Sequence, residues 1–217
     1  NQMQISAISS SLGSGGGKTI QKSFFSNLGG GPASLDGMNV EEISSTPMAV
    51  ASVFPELQDL QGEDEILNFM LPSGTPEYSD ALGGISFDDP VMSMEYLAKW
   101  YYTLVKEVEQ NDPEGWQRYV GLASTPRGIS CEFCCGIGPT GADSKGQSKC
   151  GCKHNPAMLA LTMGLIQNTD YSDAEVLREV MKWKTIFFPK NMVGIAMEVA
   201  GTDPSALKEL PGMVGGC

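Results

Sequence analysis

The sequence predicts a mainly α-helical protein: a small helical domain with an inserted cysteine-rich loop and a long, irregular, Gly/Ser-rich and acidic N-terminal extension. Three observations predict it. From residue 91 onward apolar residues recur at spacings of three and four, the period of a helix face. No stretch alternates apolar and polar residues as a half-buried strand does. Five of the six cysteines and the single histidine fall between Cys131 and His154, interrupting the helical pattern with a loop of different chemistry.

Residues 1–37 are of low complexity, with Ser9-Ser10-Ser11, Gly15-Gly16-Gly17 and Gly29-Gly30-Gly31-Pro32. Such composition cannot bury a core of its own, so a neighbouring subunit is its expected partner. Within it, Gly13-Ser14-Gly15-Gly16-Gly17-Lys18-Thr19 approaches a phosphate-binding loop. The first glycine that motif requires is replaced by Leu12, and no apolar strand precedes it, so a linker is expected. Residues 38–90 are acidic and punctuated by proline, with short helices expected around Val40–Ser44 and Asp64–Leu71. Asp88-Asp89-Pro90 reads as a stop and turn. The pairs Glu41-Glu42 and Asp88-Asp89 lack the rest of a calcium loop and read as solvated surface. Residues 1–90 are therefore expected to form an assembly arm, residues 91–210 the domain, and 211–217 a tail.

In the second half, Met94, Leu97, Tyr101, Leu104 and Val108 form one apolar stripe, widened by Trp100 and Val105, with Ser93 as the expected cap. Asn111-Asp112-Pro113 breaks it, and Pro113 opens a shorter helix to about Leu122. Asn155-Pro156 is expected to cap and start the next helix. Its Ala157–Ile166 run is apolar on nearly every side, so it belongs at the centre of the domain. Ser172-Asp173-Ala174-Glu175 is a capping box opening a helix with Val176, Val180, Trp183 and Phe187 on one face, stopped by Pro189. Asn191–Ala200 is a further short helix, ended by Gly201.

Charge excludes some functions. The formal net charge is −12, and residues 1–90 carry twelve acidic residues against two basic ones. That balance offers no footprint for nucleic-acid phosphates. No apolar run is long enough to span a membrane. The acidity, the scarcity of Lys and Arg and a first residue other than Met suit a protein exported after removal of a leader.

The cysteine segment carries the chemistry. Cys131-x-x-Cys134 is a chelating pair, and Cys150 and Cys152 alternate along a short stretch so that both can point one way. His154 follows two residues later. Cys131, Cys134, one of Cys150 and Cys152, and His154 make a Cys₃His set, and both later cysteines make Cys₄. Arg127, Lys145, Lys149 and Lys153 surround the cluster, and cations favour thiolates. Cys135 does not readily share an ion with its neighbour Cys134, so a second ion, a disulfide or an unligated thiol is expected of it. Zinc, copper(I) and an iron–sulfur cluster are the candidate cofactors. The tripeptide Cys134-Cys135-Gly136 resembles part of the cysteine-rich motif of heterodisulfide-reductase-type iron–sulfur proteins; the match is confined to those residues and implies no further role. No Cys-x-x-Cys-His occurs, which removes covalent haem. Met158, Met163, Met181 and Met192 lie on apolar helix faces and read as core.

No Ser/His/Asp arrangement or paired carboxylate marks a catalytic site. The expected function is a non-enzymatic metal-centre protein, in electron transfer or with a structural ion, acting as a subunit of a homo-oligomer or larger assembly. A different reading is a self-assembling extracellular, filament-like subunit whose cysteines pair and whose Cys217 crosslinks neighbours. A third is a thiol oxidoreductase or metal carrier.

Overall fold

The computed structural model describes residues 35, 37–204, 207 and 209–216. The expected assembly arm up to residue 34, the Gly13–Thr19 stretch and Cys217 lie outside the described residues. Among the described residues there are eight α-helices and no strand, only the isolated bridges Ile129↔Thr140 and Ala142↔Ser148.

Helix α1 (Thr46–Val53) starts later than the Val40–Ser44 expected from the sequence, where the chain instead turns. Ser45 supplies the reason: its side chain accepts from Met48 N, and Pro47 fits the first turn. α2 (Glu63–Met70) follows, with three acidic residues in its first turn. Both pack on α8 (Pro189–Val199), and α1 also packs on α7 (Asp173–Phe187). Through them Val50, Val53, Leu57, Ile66 and Met70 join the same buried cluster as the later helices.

α3 (Pro90–Asn111) begins earlier than expected. Asp89 is its cap, accepting from Met92 N, and Pro90 is its first residue; Ser93 lies inside the helix and donates to Ser86 O and Asp89 O. The stripe Met94, Leu97, Tyr101, Leu104 and Val108 is buried throughout. α4 (Pro113–Ala123) is capped by Asp112, whose side chain accepts from Gly115 N. After the cysteine loop, α6 (His154–Asn168) runs through the centre, with twelve successive buried residues from His154 to Leu165. It packs on α3, α4 and α7. Asn155 does not cap it, because the helix already starts at His154 and Pro156 is its third residue.

The capping box at Ser172 and Glu175 forms with both of its hydrogen bonds. Pro189 stops α7 and becomes the first residue of α8. Trp183 of α7 is fully buried, stacks on Phe87 at 4.6 Å and donates from Nε1 to Tyr78 OH at 3.0 Å. Tyr78 OH in turn donates to Glu179 Oε2. Residues 211–216 return over the end of α7, where Val214 N donates to Phe187 O at 2.9 Å.

Candidate metal centre

The loop between α4 and α6 is held by the protein before any ion is considered. Arg127 Nε donates to Val40 O, and Ala142 N donates to Ala123 O. Tyr119 OH donates to Gly146 O at 2.8 Å, and Tyr101 OH accepts from Ser148 N at 2.8 Å. Asn155, buried at the start of α6, ties the two arms of the loop together. Its Nδ2 donates to Gly141 O at 2.8 Å and to Ser148 Oγ at 2.7 Å, while its Oδ1 accepts from Cys131 N at 3.4 Å. Gly141 is required by this closeness, since a Cβ there would lie 2.0 Å from Ile129 O.

Cys131 stands just before α5 (Glu132–Cys135), a single helical turn ended by Gly136 at φ 66°. Cys131 and Cys135, four residues apart, face together, while Cys134 lies toward Cys152 and His154. The Sγ atoms of Cys131 and Cys135 are 3.2 Å apart, those of Cys131 and Cys152 3.2 Å, and those of Cys135 and Cys150 2.6 Å. Cys131, Cys135, Cys150 and Cys152 thus form one group whose sulfurs all lie within 4.8 Å of one another. All four are thiols, not disulfides. Cys134 belongs to a second group, with Cys152 and His154, also within 4.8 Å. The adjacent cysteines therefore face different groups, and Cys135 takes the place beside Cys131 that the Cys-x-x-Cys spacing offers to Cys134.

Four thiolates around a tetrahedral zinc at about 2.3 Å would stand about 3.8 Å apart. The three short separations would have to open by about 0.6 to 1.2 Å to admit such an ion, within reach of side-chain rotation about Cβ. The group runs from a buried end to an open one: Cys131 is buried, Cys150 and Cys152 are half-buried, and Cys135 is exposed. Grooves flank it on the surface. One, of about 460 Å³, is lined by Cys152, Lys153, Lys99 and Tyr102; the other, of about 260 Å³, by Cys150, Lys149 and Tyr101.

The thiols differ in acidity. The hydrogen bond from Cys131, aided by the nearby His154 ring and the Asn155 backbone N–H, holds the Cys152 thiol well below the usual range. The Cys131 thiol is raised, first by that same hydrogen bond and then by burial. Burial and the neighbouring Cys150 push Cys135 up to about 11.

Behind α5 lies a buried ion pair that sequence reading misses. Lys184 of α7 is fully buried, and its Nζ donates to Glu132 Oε1 at 2.5 Å, Gly128 O at 2.7 Å and Thr46 Oγ1 at 3.1 Å. Thr46 also donates to Glu132. Nζ sits 4.9 Å from the centre of the Phe133 ring. Three separate parts of the chain thus fix the turn that carries Cys134 and Cys135.

His154 is buried between Phe187 and Phe188, with ring centres 5.6 and 5.0 Å away. Its Nε2 lies 2.8 Å from Val214 O, and a carbonyl can only accept, so Nε2 carries the proton. Compared with protein-family models, curated proteins and solved structures, the chain matches none. What the fold and the site define is a class: a helical protein in which one long loop brings four thiols to one point.

Proposed function

We propose that this chain is a non-enzymatic metal-centre protein in which Cys131, Cys135, Cys150 and Cys152 bind one soft transition-metal ion: zinc, copper(I) or iron. The observation that carries this reading is the convergence of four thiols, from two segments of one pinned loop, within 4.8 Å. Soft thiolate sets select these metals over hard cations. The loop is already anchored by Asn155, Tyr101, Tyr119 and Arg127, so the ion is not the sole support of the fold. With one edge open at Cys135, the arrangement favours an ion that exchanges electrons, or is itself exchanged, with a partner. The acidic, Gly/Ser-rich first segment supports a subunit role in a larger exported assembly. Protein purified under reducing, anaerobic conditions should contain stoichiometric zinc, copper or iron, and Cys131→Ser should lose the ion of the four-cysteine group. Metal-free protein that takes up none of the three would overturn the proposal.

A second reading rests on the 2.6 Å between Cys135 and Cys150, at the exposed end of the group. By exchange with an external disulfide, which is reduced to two thiols, these two are placed to join as a disulfide of about 2.05 Å, giving a thiol redox protein. Mass spectrometry before and after reduction separates the two readings by counting bridges.

A further inference from the structure

We infer that the centre takes two ions, the second held by Cys134, Cys152 and His154, with the Cys152 thiolate shared between them. The inference rests on the proposed four-cysteine site and adds to it. Among the described residues, His154 Nδ1 is the one buried side-chain polar atom without a hydrogen-bond partner. A lone pair left unpaired in the interior is costly, and a metal ion is a partner that removes that cost. The tautomer is the one a ligand needs. Nε2–H donates to Val214 O, so in the neutral ring Nδ1 presents its lone pair. A ligating histidine characteristically gives its other ring N–H to a backbone carbonyl in this way.

The donors around that lone pair fit an ion. Cys134 and Cys152 offer sulfurs within 4.8 Å of each other and of the imidazole. Cys152 belongs to both groups, so one sulfur can bridge two ions. Phe187 and Phe188 clamp the ring, and Val214 is itself anchored to Phe187 O, so the imidazole is fixed before the ion arrives. Five thiolates around two divalent ions leave a single negative charge, which the N-terminus of α6 helps to offset. The second set has three protein donors, two sulfurs and one nitrogen, and so leaves one position for a ligand from solvent. Cys152 also lines the groove with Lys99, Tyr102 and Lys153, which gives such a ligand a way in.

The test is zinc stoichiometry on the full chain, made metal-free and reduced, titrated with zinc alone and then equilibrated against a weak chelator. Wild type should retain two zinc ions per chain. Cys134→Ser and His154→Gln should each retain one, and Cys135→Ser should lose the ion of the four-cysteine group. The half-buried Cys134 makes the first variant informative even where the histidine variant fails to fold. One zinc in wild type, unchanged by Cys134→Ser, overturns the second site and leaves the first standing. No zinc at all overturns both.

Discussion

Replacing Asn155 with alanine removes the link between the two arms of the cysteine loop. Its amide makes two short donor bonds, to Gly141 O and Ser148 Oγ, and accepts a longer one from Cys131 N. Gly141 O keeps a partner in Lys149 N, and Ser148 Oγ keeps Cys150 O, so those two losses count at the ordinary net value of about 1 kcal/mol each. The Cys131 N–H is different: it sits at a fully buried residue and is stranded, which costs about 1 kcal/mol more. The sum is about 3 kcal/mol. In urea unfolding of reduced, metal-free protein, followed by tryptophan fluorescence, the midpoint should fall by about 1–1.5 M at an unchanged slope. Because the substitution also loosens Cys131 against Cys152, affinity for the first zinc should drop at least about tenfold. A loss of stability below about 0.5 kcal/mol with unaltered zinc binding would refute the idea that Asn155 sets the loop.

Other expectations follow from the same geometry. Lys184→Ala strands Glu132 beside the cysteine turn and should cost about 3–5 kcal/mol, whereas Lys184→Met with Glu132→Gln should recover most of it; a double-mutant cycle in urea measures the difference. Burial lowers Lys184 to about 8, below the unfolded value of about 10.4, so the unfolded state binds its proton more tightly between those limits. Wild-type stability relative to the Lys184→Met, Glu132→Gln double variant should therefore be greatest above about pH 10.4 and fall as pH drops toward 8; unfolding curves of both proteins over that range check it. Gly141→Ala drives a Cβ into Ile129 O and should cost about 1–3 kcal/mol by thermal unfolding, with weakened zinc binding. Leu159→Ala, at the buried centre of α6, should cost about 2–5 kcal/mol in urea while leaving zinc stoichiometry unchanged in the folded protein.

The helices most legible in the sequence are those with several turns. The α3 stripe, the Ser172 capping box and the all-round apolar α6 each repeat one signal over many residues. Boundaries were less legible where two neighbouring residues could cap, as with Asp89 against Ser93 and Ser45 against the stretch before it. In the site, a helix of four residues gives no periodicity, so nothing in Cys131–Cys135 announces that the i+4 cysteine rather than the i+3 cysteine turns toward Cys131. Asn155 looks like a cap because Pro156 follows it, yet its partners lie 7, 14 and 24 residues away. Lys184 reads as an ordinary solvated charge in an amphipathic helix. Only the packing of α1 and α5 against it shows a buried amine with three oxygen partners.

X-ray absorption on reduced protein loaded with one equivalent of zinc looks directly at the atoms this account places around the ion. Sulfur neighbours at about 2.3 Å, fewer in number in Cys131→Ser, are the predicted result. A first shell of oxygen and nitrogen alone, at about 2.0–2.1 Å, would place the ion on other residues and contradict it.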